Sequence, residues 1–446
     1  MTNLTEGKIT KQLIWFALPF LGSSLIQQLY NTVDLMFVGR LLGKEASAAV
    51  GAGGLLITCI LGLFTGLSVG VGVVTASAFG GRKYDEVKKT VHTAASLSLI
   101  GGILMAFFGI WLAPELLGRM NVPSDILPMA VGYIRIYFLS LLSIIGYNMS
   151  AGILRALGDS RSPMIYQLWG GIANIFGNAL FICVLKWGVN GAAAATFLSQ
   201  SVAAVLTIRH VCKLDARYRL CFRELCLEPG ICRQIIFIGF PAAIQAMVIT
   251  LSNLIIQARI NSLGVDNIAA FTTYFKVENF VYLPILAFGQ ANTTFTSQNI
   301  GAGYLKRAQK GTAVTMGLGI CVTVAISMLL LIFHDFAFGL FTEDGTVLEL
   351  AYSIAGITFP LYFLYVFLEV LSSSIRGAGK SIPPMIIILT NSCLVRVAAL
   401  QIIMNIQPTV TGVAVVYPLT WATNVICLAL YYCFGRWKPV QLQENN

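Results

Sequence analysis

Residues 155–164 read RALGDSRSPM, and residues 376–385 read RGAGKSIPPM. These segments lie 221 positions apart and share Arg, Gly, Ser, Pro and Met at five of ten positions. We expect each to form a tight connection between two helices. Further matches keep the same order at shifts of 221 or 222: Leu42-Gly43 with Leu263-Gly264, Gly80 with Gly301, Pro19 with Pro241, and Asn31 with Asn253. Ordered agreement in separated regions indicates that the chain arose by internal duplication.

The composition places the chain in a membrane. Hydrophobic residues make up 57% of it and charged residues 11%, against roughly 45–50% and about 25% in soluble domains. A net charge of +10 would suggest a nucleic-acid partner in a soluble protein. Here the basic residues lie between apolar segments and indicate topology instead, so we expect no nucleic-acid partner.

Taking about 20 apolar residues as one membrane span, the sequence predicts an all-α membrane protein with twelve spans. Each copy of the duplication contributes six, which form an N-lobe (1–212) and a C-lobe (234–446) joined by a cytoplasmic linker loop (213–233). The predicted spans are 13–38, 46–79, 91–113, 128–152, 163–186, 189–212, 235–260, 268–298, 308–334, 348–373, 382–405 and 409–435.

The distribution of Lys and Arg predicts the orientation. With the N-terminus inside, the inner segments hold 21 of these residues and the outer segments hold 5, which favours two cytoplasmic termini in the plasma membrane. Because six is even, both lobes enter the membrane in the same direction, an arrangement associated with alternating-access transport. Arg135, Lys276 and Arg396 fall inside spans and need partners.

Metal and enzyme chemistry have little support in the sequence. Cys212, Cys221, Cys226 and Cys232 cluster in one basic loop but include no CxxC pair, so a zinc site is not expected. HExxH does not occur, and the one GxSxG match, GLSVG at 66–70, lies inside the predicted span 46–79. We expect no enzyme activity and no cofactor.

Five segments are distinctive in combination: IWFALPFLGSSLIQQLYNTVDLMFVGRLLG (14–43), SAGILRALGDSRSPM (150–164), NIFGN (174–178), TSQNIGAG (296–303) and SSSIRGAGKSIPPM (372–385). In these segments the chain resembles the multidrug and toxic compound extrusion (MATE) transporters, in particular their bacterial drug-efflux branch. It implies two six-helix lobes around a central cavity and cation-coupled export of cationic or amphiphilic organic compounds, driven by H⁺ or Na⁺. We expect a monomer with small organic substrates as its partners.

Gln27, Asn31 and Asp34 follow one face of the first span. Asn174 and Asn178 lie one turn apart in the fifth span, and Thr196 follows in the sixth. By resemblance to the family's N-lobe site, Asp34, Asn174, Asn178 and Thr196 bind the coupling cation, including Na⁺ as the possible metal. Asn178 is neutral where some relatives have a carboxylate, which leaves the ion open.

Two interpretations of these polar groups stay open. Carboxylate, amide and hydroxyl oxygens suit Na⁺, and a desolvated carboxyl group also suits a proton. Alternatively, the side chains form hydrogen bonds that only hold helices together. Such a structural role does not require the charge of Asp34, so for this residue we favour function.

The C-lobe carries different acids. Ile255 or Ile256 replaces Asp34, while Glu278 and Glu369 lie in the eighth and tenth spans. Tyr365 and Glu369 resemble the tyrosine and the acid of the family's C-lobe site, but a second family acid is replaced by Thr250. Arg396 is the expected partner of Glu369, either in a structural ion pair or in proton or substrate binding.

Aromatic side chains are candidates for a drug cavity, because ring faces bind organic cations. The candidates are Tyr137, Phe138, Tyr147, Phe275, Phe280, Tyr282, Tyr362 and Tyr365. An alternative function is a lipid-linked saccharide flippase of the same superfamily, whose cavity should be basic. The deep basic residues are balanced in number by Asp34, Glu278 and Glu369, which favours export of organic compounds.

Overall fold

The computed structural model describes residues 3–120 and 122–437, and every regular element in these ranges is helical. The first copy of the duplication and the start of the second contain α1 (Ile9–Phe37), α2 (Gly43–Ala52), α3 (Gly54–Gly80), α4 (Tyr84–Arg119), α5 (Leu127–Ala156), α6 (Arg161–Asn178), α7 (Val189–Cys212) and α8 (Pro229–Asn261). The remainder contains α9 (Val265–Gly301), α10 (Leu305–Ile332), α11 (His334–Gly339), α12 (Gly345–Thr358), α13 (Phe363–Gly377), α14 (Ile382–Thr390), α15 (Arg396–Ile406) and α16 (Val410–Phe434).

The helices account for the twelve predicted spans. Within the described residues, ten segments are long and apolar enough to cross a membrane, and α12 with α13 form an eleventh that is bent by 51°. The twelfth is α9, which has 37 residues and is long enough at about 1.5 Å per residue. Its polar side chains lower its hydropathy, and many of them are buried in protein, including Asn292, Thr296 and Gln298.

The contacts divide the chain into two compact units. Among the described residues, unit 1 contains residue 3 and those between 22 and 243, and unit 2 contains residues 4–21 and 244–437. Both boundaries fall within long helices, one in α1 and the other in α8. The first half of α1 packs with unit 2, and the first half of α8 packs with unit 1. The predicted lobes, 1–212 and 234–446, were defined by membrane topology and remain a prediction.

Unit 1 is built around α4, α5 and α7, whose fully buried side chains include Val91, Ile145 and Leu154. The predicted linker is folded against α4. The backbone N–H of Cys221 donates to His92 Nε2 at 3.1 Å. Lys88 and Glu224 form an ion pair at 2.6 Å, and this ammonium group lowers the pKa of Glu224.

Unit 2 is built around α9, α13 and α16. The buried amide of Asn292 donates to Ser373 Oγ at 2.9 Å and to the carbonyl of Val370 at 3.2 Å, which joins α9 to α13. The N-terminal segment belongs to this unit: Phe16 and Phe20 of α1 lie in a buried apolar cluster with Phe295 of α9. Polar contacts inside the membrane are therefore made between helices and protected from lipid.

The two repeated segments form matching connections, as expected. RALGDSRSPM joins α5 to α6 with Gly158 at φ 88°, and RGAGKSIPPM joins α13 to α14 with Gly379 at φ 80°. Glycine adopts these left-handed angles without the penalty that a Cβ imposes. Ser160 and Ser381 then precede the next helices. The glycine and the serine therefore occupy equivalent positions in the two connections, 221 residues apart.

Glycines permit a very close crossing of α3 and α8 within unit 1. A Cβ added at Gly70 would lie 2.4 Å from the carbonyl oxygen of Ile235, and one added at Gly66 would lie 2.5 Å from the backbone nitrogen of Ala243. A Cβ added at Gly239 of α8 would likewise lie 2.7 Å from the backbone of Leu67. Because the obstacles are backbone atoms, a side chain here must separate the helices.

We expect Gly70→Leu to destabilise the protein by about 3 kcal/mol or more, because overpacking against backbone cannot be relieved by a rotamer change. The control is Gly317→Leu on α10, where an added Cβ meets nothing within 4 Å. Thermal unfolding of the purified variants measures the difference. Equal melting temperatures for the two variants would show that the α3–α8 crossing is not tightly packed.

Candidate cation and substrate sites

Three predicted side chains of unit 1 meet at the Asp34 carboxylate. Asn174 Nδ2 donates to Asp34 Oδ2 at 3.4 Å, and Thr196 Oγ1 donates to the same oxygen at 3.5 Å. Asn178 Nδ2 donates to Asp34 Oδ1 and, at 3.2 Å, to Asn174 Oδ1. Helices α1, α6 and α7 thus each supply part of one polar cluster, which we call the Asp34 cluster.

Small residues on α6 and α7 place the two amides beside α1. A Cβ added at Gly170 would lie 3.0 Å from the carbonyl oxygen of Ser199, and one at Gly177 would lie 3.1 Å from Ala195 Cα. These glycines are seven residues apart and lie on the face of α6 that packs on α7. Their close packing explains why Asn174 and Asn178 are fully buried.

The donors to Asp34 are all neutral. No Lys, Arg or His of the described residues forms an ion pair with this carboxylate. In addition, the buried Asn178 Oδ1 has no hydrogen-bond partner. A charged group without a counterion next to an unpaired acceptor is costly at membrane depth. The same arrangement provides oxygen atoms for a cation, or a proton site on the carboxylate.

A second polar group lies one helical turn from Asp34 and was not predicted. The buried Tyr30 hydroxyl accepts hydrogen bonds from Gln167 Nε2 at 3.3 Å and Gln200 Nε2 at 3.1 Å. Gln167 precedes Asn174 by seven residues, and Gln200 follows Thr196 by four. This helical spacing is the sequence signal that could have identified the pair.

The other predicted residues of this region differ in position. Gln27 and Asn31 are exposed side chains on α1, and neither forms a hydrogen bond to Asp34. Tyr137 of α5 lies within electrostatic range of the carboxylate, as does Tyr133, and their rings are 6.1 Å apart. Aromatic side chains of α5 therefore belong to the surroundings of the Asp34 cluster.

Three π-helical segments lie close to candidate residues. Val38–Leu42 follows Asp34 by one turn, Ala179–Val184 begins directly after Asn178, and Asn391–Val395 ends directly before Arg396. A π-helical segment widens the helix locally and changes the direction of the side chains on either side, and such segments are frequent at functional sites. Periodicity analysis at 3.6 residues per turn cannot locate them.

In unit 2, Glu278 is the acid with the best-defined partner. The Tyr362 hydroxyl donates to Glu278 Oε1 at 2.6 Å. Arg396 lies within electrostatic range of Glu278, and its Nη1 donates to Ser252 Oγ at 3.3 Å and to Asn253 Oδ1 at 3.1 Å. Its guanidinium carbon lies 5.3 Å from the centre of the Tyr417 ring.

The expected pairing of Glu369 with Arg396 is wrong. Glu369 Oε1 lies 3.9 Å from Arg376 Nη2, and both residues are buried. Glu369 and Arg376 are seven residues apart on α13 and share one face, whereas Arg396 bonds to Ser252 and Asn253. Glu369 also packs directly on Gly289 of α9, where an added Cβ would lie 2.6 Å from its Oε1.

The aromatic candidates separate into two groups. Tyr365 and Tyr282 lie 5.6 Å apart, and Trp421, which was not predicted, lies 4.7 Å from Tyr362 and 5.7 Å from Tyr365. Tyr362 bonds to Glu278, and Tyr282 and Tyr365 lie within electrostatic range of it. The remaining candidates are assigned elsewhere: Phe138 packs on Gly109, Tyr147 donates to the carbonyl of Pro163, Phe275 packs on Phe271, and Phe280 is exposed.

The other two charged residues predicted within spans also have partners. Arg135 Nε donates to the carbonyl of Ile110 at 3.3 Å, and Lys276 Nζ lies 5.4 Å from the centre of the Phe341 ring. Thr250 donates to the carbonyl of Ala246 within its own helix. Among the described residues, no group of three or more His, Cys, Asp or Glu is arranged to hold a metal ion.

Comparison with known proteins gives a consistent family result. The MatE family model matches residues 19–180 and again residues 241–402. The two matches begin 222 positions apart, since 241 − 19 = 222, and this spacing confirms the internal duplication. Together they cover more than half of the chain.

Similar proteins cover nearly the full length. The chain is 26% identical to the Probable multidrug resistance protein YpnP of Bacillus subtilis, over 99% of this chain and 98% of that protein. It is 23% identical to the Multidrug export protein MepA of Staphylococcus aureus, over 84% of each. The fold matches a MATE crystal structure in the straight conformation, with TM-score 0.90, 22% identity, and coverage of 99% and 98%.

The fold by itself does not determine what is transported. A second matching structure, with TM-score 0.87 and 22% identity over 99% of this chain and 98% of that one, is a transporter from Pyrococcus furiosus. Its description states that a reversed polarity of the binding pocket suggests a different function. A statement about the substrate of this chain must therefore rest on the charges of its own residues.

We expect Asn178→Leu to destabilise the protein by about 1.5–3 kcal/mol when Asp34 is ionised, because the carboxylate loses a buried donor. The loss should shrink as the pH falls and the carboxyl group becomes protonated, since the neutral form does not need that donor. Thermal unfolding across the pH range in which a carboxyl group ionises measures this effect. Asn424→Leu, a buried amide bonded within α16, is the control and should show no such pH dependence.

We expect Arg376→Met to destabilise the protein by about 3–5 kcal/mol, because it leaves the buried Glu369 charge unpaired. Adding Glu369→Gln should restore most of this stability. Combining Glu369→Gln with Arg396→Met should give no comparable recovery, because Arg396 is not the partner of Glu369. A double-mutant cycle on melting temperature tests the pairing, and recovery only with Arg396→Met would reverse the assignment.

Proposed function

Because the chain belongs to the MatE family of transporters, we propose that it is a cation-coupled antiporter that exports cationic or amphiphilic organic compounds by alternating access. Asp34 is the residue on which coupling depends. The observation that carries the proposal is that this carboxylate, at membrane depth, is surrounded by neutral donors and has no protein counterion among the described residues. An external cation is the natural partner of such a group.

The Asp34 cluster has the chemistry for either coupling ion. A proton on the carboxylate removes the uncompensated charge, and the amides can rotate to accept from the resulting O–H group. Na⁺ would instead use the oxygens of Asp34, Asn174, Asn178 and Thr196, which are hard ligands suited to that ion. The unpaired Asn178 Oδ1 supports either role, because it is an acceptor that a donor or a cation would satisfy.

Helix α1 is the element through which Asp34 acts. Residues up to Leu21 belong to unit 2 and residues from Gly22 belong to unit 1, and Pro19 lies within the helix just before that boundary. Proline removes a backbone hydrogen bond and permits a bend. Neutralising Asp34 changes how the second half of α1 packs against α6 and α7, so the cation can favour one conformation of α1.

Antiport requires that the cation and the substrate favour different conformations, because a ligand with equal affinity for both shifts nothing. We propose that Asp34 takes up H⁺ or Na⁺ from outside and releases it inside, after which substrate binds. Release of the cation restores the negative charge at the start of each export step. This order couples substrate export obligatorily to cation influx.

The substrate class follows from the aromatic and acidic groups. The Tyr362 hydroxyl donates to Glu278, and the ring of Tyr362 adjoins those of Tyr365 and Trp421. Organic cations bind well to ring faces near a carboxylate. Names of relatives such as the Multidrug export protein MepA support this class over a lipid-linked saccharide flippase. The buried basic residues also support it, because Arg376 is paired with Glu369 and Arg396 lies near Glu278.

The distribution of basic residues supports an orientation in the plasma membrane with both termini on the cytoplasmic side. Of the 29 Lys and Arg residues, 21 fall in the segments that this topology places inside. We propose that the protein functions as a monomer, because each copy of the chain contains both halves of the duplication and all groups named above.

We expect Asp34→Asn to abolish gradient-driven export of ethidium, because the amide can neither exchange a proton nor provide a charged ligand. The measurement uses purified protein in liposomes with a pH gradient and an Na⁺ gradient imposed in separate experiments. Asp125→Asn, which changes an exposed acid bonded to Ser124, is the control and should transport normally. Undiminished gradient-dependent export by Asp34→Asn would refute the role of Asp34.

A further inference from the structure

A basic groove lies within unit 2 where the first turns of α1 and α10 meet. Its volume is about 660 Å³, and its wall includes residues 7–11, Ile14, Trp15, Arg307, Lys310 and Val314. We call it the α1–α10 groove. It is separate from the Asp34 cluster, which lies in unit 1, and from the acids of α9 and α13.

Four cationic side chains line the α1–α10 groove: Lys8, Lys11, Arg307 and Lys310. The residues that form its wall include no acidic side chain, although Glu6 lies within electrostatic range of Arg307. Among residues 3–120 and 122–437, Lys8, Lys11 and Lys310 form no ion pair. One carboxylate therefore faces four positive charges, so the groove has a strong excess of positive potential.

Arg307 has a different role from the three lysines. Its guanidinium group donates to the carbonyl oxygens of Leu4 and Gly7 at 3.4 and 2.9 Å, and to Gln12 Oε1 at 3.0 Å. It fixes the N-terminal segment beside α10 and thus forms the shape of the groove. The lysine side chains are exposed and remain available to a ligand.

The helix backbones add to the positive potential. Helices α1 and α10 begin at Ile9 and Leu305, and neither has an acidic residue in its first turn. The N-terminus of a helix carries a partial positive charge and unpaired N–H groups, so acids are normally favoured there and lysines are not. Two helix starts with lysine instead of acid therefore add to the positive potential of the groove.

The two helices share one pattern that gives the groove a direction. Lys8 directly precedes α1 and is followed on that helix by Lys11 and Trp15, and on α10 Arg307 and Lys310 are followed by Val314. Both sets follow the spacing i, i+3, i+7, which places each set on one helical face. The groove is therefore charged where the helices start and apolar one turn further into the membrane span.

We propose that the α1–α10 groove binds an anionic phospholipid, with the phosphate at Lys8, Lys11 and Lys310 and an acyl chain against Trp15 and Val314. A free anion would use the lysines but would gain nothing from the apolar part. Trp15 is 68% exposed, as expected for a tryptophan at the boundary between headgroups and acyl chains. Basic pockets between helices near the membrane surface suit anionic headgroups.

The test uses Trp15 as the reporter. The protein and its Trp15→Phe variant are reconstituted in phosphatidylcholine vesicles that contain an increasing fraction of brominated phosphatidylglycerol or, in parallel, brominated phosphatidylcholine. The difference between the two proteins isolates the fluorescence of Trp15 from that of the other five tryptophans. Half-maximal quenching should require about fivefold less brominated phosphatidylglycerol than brominated phosphatidylcholine.

The triple variant Lys8→Gln, Lys11→Gln, Lys310→Gln should lose this preference. The matched control Lys89→Gln, Lys213→Gln, Lys306→Gln removes the same charge from exposed positions outside the groove and should keep it. Equal quenching by the two lipids in the unmodified protein would overturn the proposal. So would loss of the preference in the control variant, or its abolition by inorganic phosphate at constant ionic strength, which would assign the site to a free anion.

Discussion

A carboxylate inside a membrane span that receives hydrogen bonds only from neutral groups is the constraint on which this structure depends. Two amides and a hydroxyl surround Asp34, and no basic residue of the described chain neutralises it. The donors lower the cost of the charge, but they do not remove it. The close packing of α6 on α7 through Gly170 and Gly177 holds those donors in place.

The duplication repeated the framework of the protein but not its chemistry. Gly158 and Gly379 form equivalent turns, and the family model matches the two halves at the same interval. In contrast, an isoleucine stands where Asp34 would recur. Asn31 makes no hydrogen bond to Asp34, while its counterpart Asn253 accepts one from Arg396. In unit 1 the acid, Asp34, has no counterion among the described residues. In unit 2 the two acids have basic neighbours, Arg376 for Glu369 and Arg396 for Glu278.

Helical periodicity and family resemblance predicted the parts of the structure that depend on local spacing. The twelve spans, the repeated connections and the meeting of Asp34 with Asn174, Asn178 and Thr196 all belong to this class. The surroundings of Arg396 could not be predicted this way, because they depend on helix rotation and a π-helical segment directly precedes this residue. The spacing of Glu369 and Arg376, seven residues apart on one helix, was by contrast a local signal present in the sequence. Hydropathy also cannot reveal that α1 and α8 are each divided between two units, since both halves are apolar.

The central claim is that substrate and a coupling cation are linked through Asp34. The most direct measurement counts the protons or Na⁺ ions released when purified protein binds a cationic dye, using a pH indicator in weakly buffered detergent solution and an Na⁺-selective electrode in a parallel titration. The account predicts stoichiometric release of one of these ions from the unmodified protein and none from Asp34→Asn at equal dye occupancy. Equal release from both proteins would contradict it.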